Sequence, residues 1–276
     1  MIGMESKEEG NAKSKEEKNK RDIDITNPIA LQLLEQKRKV REALKGIKHK
    51  IGVYSAKGGV GKTTIAVNLA FALKELGFSV GILDADIDCP NLTFFVGLNN
   101  FKQEGYPLKP GLVENVKVIS TAMLMEDAKK PIIWRGPLIA KMINEFLLNT
   151  DWGELDYLVI DLPPGTSDAP LSIMQSLDLD GFVLVTTPQH IASINAIRSG
   201  GMAKRLGVSL LGVIENMSDG SGKEGMDVAS TLNCEFLGCV KNEKIFNELS
   251  DKGRIPVLEE SAIREEFVNI AKKLIG

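Results

Sequence analysis

The segment Ser55-Ala56-Lys57-Gly58-Gly59-Val60-Gly61-Lys62-Thr63-Thr64 restricts what this chain can become more than any other. The apolar run Ile51-Gly52-Val53-Tyr54 precedes it and reads as a buried strand. Behind it, Ile65, Leu69, Ala72, Leu73 and Leu76 recur at helical spacing. A strand therefore runs into a glycine-rich turn that opens a helix, which is the setting a phosphate-binding loop needs. Glycines let successive backbone N–H groups face one anion without Cβ clashes, and the helix N-terminus adds partial positive charge. Lys62 is placed to reach the β- and γ-phosphates of a nucleotide as a point charge, and the Thr63 hydroxyl to hold Mg²⁺. The loop departs from the general Gly-x-x-x-x-Gly-Lys pattern at its first glycine, which is Ala56 here, and a second lysine, Lys57, stands at its start.

Composition narrows the remaining classes. The 276 residues suffice for one large α/β domain or two small ones. A formal charge of −3 and 5% aromatic residues supply neither the basic field nor the stacking surface of a nucleic-acid binder. Three cysteines make no disulfide framework and fit a reducing, cytoplasmic setting. No run approaches the ~18 apolar residues of a membrane span, and the lysine- and glutamate-rich start is not a secretory signal.

In order, residues 1–26 are polar and charge-mixed, and predict a disordered tail. Residues 27–47 predict one helix, with Pro28 in its first turn and Ile29, Leu31, Leu34, Val40 and Leu44 as a rough stripe. Residues 48–276 form the main domain. Its buried strands are expected at Val80–Leu83, Val116–Ile119, Tyr157–Asp161, within Gly181–Gln189, at Leu210–Met217 and at Phe236–Val240, with 99–115 as loop. Helices are expected after Pro137, over 191–206, and twice after the last strand, ending with 261–275. Buried strands alternating with helices define an α/β fold: a doubly wound, mostly parallel sheet with helices on both faces.

Two of these strands close on acids. Val80–Leu83 runs into Asp84-Ala85-Asp86, where carboxylates beside a phosphate site order water, Mg²⁺ or both. Tyr157–Ile160 ends at Asp161, a Walker B arrangement in which the carboxylate holds a Mg²⁺-bound water. Leu162-Pro163-Pro164-Gly165-Thr166-Ser167-Asp168 follows and is suited to sensing a γ-phosphate. His49 and His190 have no partner at metal-ligand spacing and read as structural or exposed. Cys234 and Cys239 read as buried small hydrophobes, and Cys89, in the nucleotide region, as structural.

The string KGGVGKTT resembles the deviant phosphate loop of the MinD/ParA/Mrp class of P-loop ATPases. With Asp-Ala-Asp, Trp134-Arg135-Gly136-Pro137, Asp-Leu-Pro-Pro-Gly-Thr, Thr-Thr-Pro-Gln and Glu-Asn-Met-Ser in the same order, residues 48–276 resemble the Mrp/ApbC family of iron–sulfur cluster carriers. The resemblance implies a homodimer that binds ATP through residues 57–64, hydrolyses it slowly under partner control, and hands a labile cluster to apoprotein clients. It implies that Lys57 reaches the partner's phosphates, that Asp86 positions the attacking water with Lys62 and Asp161 in the catalytic set, and that Asp84 acts through Mg²⁺ waters. It makes Asn216 the adenine reader and puts the Trp-Arg-Gly-Pro loop near the dimer interface or client site. One feature of the family is missing: Ser218–Met226, after Glu-Asn-Met-Ser, holds no Cys-x-x-Cys pair. The tail has no cysteine either, and the chain stops at Gly276 with no membrane-targeting helix of the MinD type. Two other readings stay open: a MinD/ParA-like switch that positions a protein partner without a cluster, and a heterodimer with a cysteine-complete paralogue.

Overall fold

The computed structural model describes residues 28–87, 89–98, 101, 105–124, 136–166, 170, 173–174, 177 and 179–276. Residues 1–26, Trp134, Arg135, Ser167 and Asp168 lie outside them. The described residues belong to two units, one ending at Lys39 and one running Val40–Gly276. Helix α1 (Pro28–Ala43) belongs to both. In the first unit Arg38 pairs with Glu35 at 2.8 Å. In the second, Val40 and Leu44 are buried. The helix stops short of the expected residue 47 because Ile47 already sits in a strand, opposite Leu155. Gly46 passes so close to Gly153 that a Cβ there would lie 2.9 Å from its carbonyl oxygen.

Eight strands make one sheet: β1 (Ile47–Tyr54), β2 (Val80–Asp84), β3 (Gly111–Val113), β4 (Val116–Ser120), β5 (Leu155–Asp161), β6 (Gly181–Thr186), β7 (Leu210–Ser218) and β8 (Phe236–Lys241). Their order is β3-β4-β2-β5-β1-β6-β7-β8, and every pair is parallel except β3 with β4. The expected doubly wound sheet is therefore present. All residues of β2 and β6 are buried, as strands covered on both faces require. The added antiparallel edge, β3, falls in the stretch expected as loop. Its hairpin turns at Glu114 and Asn115, both at positive φ, without the glycine that marks such turns in sequence.

Helix α2 (Lys62–Glu75) is buried along almost its whole length, between β1, β2 and β5 on one side and α9 (Ser261–Ile275) on the other. Its Asn68 is satisfied inside: the amide donates to Thr64 O at 2.8 Å, and Oδ1 accepts from Val257 N at 2.8 Å. That second bond fastens α2 to α8 (Pro256–Glu259), one of two short helices, with α7 (Ile245–Ser250), where one was expected. Helices α5 (His190–Arg205) and α6 (Lys223–Thr231) pack together along β6, β7 and β8. Two further helices are α3 (Leu92–Phe95) and α4 (Gly136–Asn149).

Three strands are tied at their starts by one carboxylate. Asp156 on β5 accepts from Lys48 Nζ at 2.7 Å, and from Ser79 N and Oγ at 2.8 and 2.7 Å. The Lys48 contact, then the Ser79 donors, hold its carboxyl well below the usual carboxylate range. A depressed folded pKa stabilises above the ordinary value and is lost as pH falls below it. Asp156→Ala should lower the free energy of unfolding by about 1–2 kcal/mol at neutral pH, and the gap should narrow below pH ~4. Urea melts across pH check this; a gap that is the same at pH 7 and pH 3 would refute the assignment.

Candidate functional site

The C-terminal ends of β1, β2 and β5 converge on a cleft of about 470 Å³. Its lining is the glycine loop between β1 and α2 together with Asp86, Cys89, Asn91, Phe95, Pro163 and Pro164. Gly59 and Gly61 have φ of +79° and +78°, which side-chain-bearing residues rarely adopt. A Cβ at Gly59 would meet nothing within 4 Å, so this glycine serves the loop's conformation. At Gly61 a Cβ would strike the Asn216 amide. That amide is buried and donates to Val60 O at 2.8 Å, clamping the loop to the end of β7. Gly61→Ala should therefore weaken nucleotide binding at least about tenfold, through a strained φ and a displaced clamp. Titration with a fluorescent ATP analogue checks it, and wild-type affinity in the variant would remove the clamp from the account.

One buried cluster joins the loop to β5. Lys62 Nζ lies 2.5 Å from Asp161 Oδ1, and Thr63 Oγ1 donates to Asp161 Oδ2 at 2.6 Å. Lys62 is 7% exposed and Asp161 1%. Asp86 Oδ2 stands 3.9 Å from the same ammonium. The expected catalytic residues Lys62, Asp86 and Asp161 thus come together, with Thr63 beside them. Lys57 does not join: it is exposed, and among the described residues no carboxylate pairs with it. Ser55 Oγ fixes its backbone by donating to Lys57 O at 2.9 Å.

Asp84 behaves differently from a residue that reaches Mg²⁺ waters through the cleft. It is buried under the cleft, and both its oxygens are engaged. Oδ1 accepts from Asp86 N at 3.1 Å, and Oδ2 from Ser120 Oγ at 2.9 Å and Leu92 N at 3.3 Å. Burial, then the Asp161 carboxylate, push its pKa up to about 8. Its visible work is to hold Asp86 and Leu92 beside Ser120 of β4. Ser120 went unnoticed in sequence, where only its position at the end of an apolar strand could have pointed to it.

The following turn is also tethered. Gly165 N donates to Ser55 O at 3.1 Å, and Tyr54 Oη donates to Gly165 O. At the end of β7, buried Glu215 accepts from Gly225 N at 2.7 Å and from the Ser218 hydroxyl. The Ser218–Met226 segment is strapped down in this way, and an acid inside an apolar strand was its signal in the sequence. Asn216, expected to read adenine, has its amide nitrogen committed to Val60.

The three cysteines are free. Cys89 is exposed at the cleft; Cys234 and Cys239 are half-buried, which corrects the reading of those two as buried residues. Cys239 sits on edge strand β8, where side chains are partly uncovered, with its Sγ 3.8 Å from Gly220 O. Cys234 lies just before that strand, its Sγ 3.7 Å from Ala229 O. His49 and His190 are exposed, His49 stacking on Tyr157 at 4.9 Å. Among the described residues, no three His, Cys, Asp or Glu side chains gather as a metal site.

A parallel sheet whose first strand feeds a lysine-and-threonine loop, with an acid from a neighbouring strand on both, defines a P-loop nucleoside triphosphatase. The chain belongs to the ParA family described as NUBPL iron-transfer P-loop NTPases, whose profile matches residues 46–275. It is 42% identical to the iron–sulfur cluster carrier protein of Methanocaldococcus jannaschii over 88% of this chain and 89% of that one. It is 39% identical to the iron–sulfur cluster transfer protein NUBPL of Dictyostelium discoideum, over 84% and 77%. Among solved structures, the nucleotide-binding protein of Archaeoglobus fulgidus in complex with ADP superposes with a TM-score of 0.67 at 35% identity, covering 81% of this chain and 93% of that one. MinD of Pyrococcus horikoshii complexed with Mg-ADP shares the fold, with a TM-score of 0.64 at 24% identity over 82% and 96%.

Proposed function

We propose that this protein is an ATP-hydrolysing dimer that carries iron–sulfur clusters to apoproteins in the cytoplasm. The nucleotide half rests on Lys62 and Thr63 meeting Asp161 beneath a loop of positive-φ glycines. The cargo half rests on the 42% identity to an iron–sulfur cluster carrier protein along most of both chains.

The cleft fits a nucleoside triphosphate with Mg²⁺: its backbone donors are exposed at Gly58 and Gly59, and its one buried ammonium and one hydroxyl are held in place by a carboxylate. Thr63 and Asp161 would hold the metal, which neutralises developing phosphoryl charge when bound. Lys62 is held beside the loop by Asp161, from where its ammonium stabilises charge on the phosphates. Asp86, at the cleft wall, orients the attacking water. Pro163 and Pro164 line the cleft, and the bonds of the following Gly165 to Tyr54 and Ser55 are the contacts a γ-phosphate signal would break. Lys57 crosses to the partner's site.

Clusters are held by about four thiolates, and one chain does not gather them. Cargo is therefore shared between chains, either two copies or one copy with a cysteine-complete relative. The test is iron and acid-labile sulfide per dimer after anaerobic reconstitution, in the wild type and in Cys89→Ser, each alone and mixed with a cysteine-complete relative. Stoichiometric iron, transferable to an apoprotein, is expected in at least one pairing. No iron in any pairing would overturn the carrier reading and leave an ATPase switch for a protein partner.

A further inference from the structure

The outer side of α5 carries a second cavity, about 400 Å³, lined by Ile197, Arg198, Gly201, Met202 and Arg205. The nucleotide cleft uses none of these residues. The two adjacent glycines of this helix differ in their reasons. A Cβ at Gly200 would come within 2.6 Å of Leu232 and 3.1 Å of Leu184, so close packing demands glycine there. A Cβ at Gly201 would meet nothing within 4 Å, and its φ is not positive. Glycine in a helix interior weakens the helix relative to alanine, and among the described residues no close packing requires it here. Its effect is to keep the cavity open.

The two arginines lining the cavity have no carboxylate partner among the described residues. Helix α5, HIASINAIRSGGMAKR, holds Arg198, Lys204 and Arg205 and no acidic residue. Lys204 donates to Leu232 O at 2.6 Å. Arg198 and Arg205 are exposed, and among the described residues neither has an ion-pair partner. They stand seven residues apart, two turns along one face, with Gly201 between them. Ile194 and Met202 are 36% and 38% exposed on the same helix.

We propose that this face docks an acidic, apolar-anchored segment of a partner protein, one apolar side chain entering over Gly201 and carboxylates meeting Arg198 and Arg205. A second copy fits poorly, because a two-fold contact repeats the same patch and brings like charges together. A nucleic acid would use the guanidinium groups and leave the apolar floor without a partner.

The probe is a fluorescein-labelled amphipathic peptide, leucines at helical i, i+4 and i+7 positions and glutamates elsewhere, titrated onto the full chain by anisotropy. Controls are a scrambled peptide, a lysine-for-glutamate peptide and a fluorescent DNA duplex. Saturable, salt-sensitive binding is expected, at least about tenfold tighter than the scrambled control. Arg198→Glu with Arg205→Glu should abolish it. Gly201→Ala separates docking from folding: it should raise Tm by about 2–4 °C and weaken the peptide severalfold. The proposal fails if the scrambled or basic peptide binds equally well, or if the double charge reversal leaves binding intact. It fails too if Gly201→Ala tightens the peptide, if only the duplex binds, or if the charge reversal changes the sedimentation mass instead.

Discussion

Replacing Lys62 with alanine should cut ATP turnover by about 100-fold or more and lower the free energy of unfolding by about 3–5 kcal/mol. Both effects have one source. The Lys62 ammonium is the buried cation closest to three carboxylates: Asp161 at 2.5 Å, Asp86 at 3.9 Å, and Asp84 behind them. Asp161 is 1% exposed, and without Lys62 its charge keeps only the Thr63 hydroxyl among the contacts described. Breaking a buried pair from one side costs more than the pair was worth, because the remaining charge stays desolvated. Adding Asp161→Asn to the alanine variant removes that stranded charge. The double variant should regain most of the lost stability and none of the turnover. Urea unfolding and phosphate release on the four proteins of the cycle separate the two roles. A single variant that turns over normally would sink the catalytic assignment. A double variant no more stable than the single one would sink the electrostatic one.

The parts of this site that were legible in the sequence are those built from neighbours in the chain. The glycine loop, its lysine and threonine, and the acids closing Val80–Leu83 and Tyr157–Ile160 needed only local spacing, because a parallel sheet brings strand ends to one rim. What stayed hidden depends on the strand order. Asp84 meets Ser120 because β4 lies beside β2, and Asn216 meets Val60 from 156 residues away. No local pattern holds either distance. Asn216 illustrates the consequence: by resemblance it reads a base, while its neighbours in space make it a clamp on the loop. Edge strand β3 was missed for a different reason. It is three residues long, too short to show alternation, and its turn carries Glu114 and Asn115 where glycine would have signalled it. Cys239 is less buried than its sequence suggests because an apolar stretch says that a strand exists, not whether it lies at an edge.

Lys57→Ala should leave the fold as it is, unlike Lys62→Ala, while doing the same to turnover. Lys57 is exposed and pairs with no carboxylate among the described residues, and Ser55 holds its backbone, not its side chain. Removing the side chain should change stability by less than about 0.5 kcal/mol. Nucleotide affinity should stay within about threefold of wild type, since the loop N–H groups, Lys62 and Thr63 are untouched, while hydrolysis falls by about 100-fold. If Lys57 works on the partner's site, as proposed, mixing reveals it. A Lys57→Ala chain retains Asp86; an Asp86→Asn chain retains Lys57. In the proposed dimer of one of each, the first chain's site receives both groups and the second chain's receives neither. Equal mixing of two inactive proteins should then restore roughly a quarter of the wild-type rate, since half the dimers are mixed and each has one working site. A lysine acting within its own chain would leave the mixture as inactive as its components.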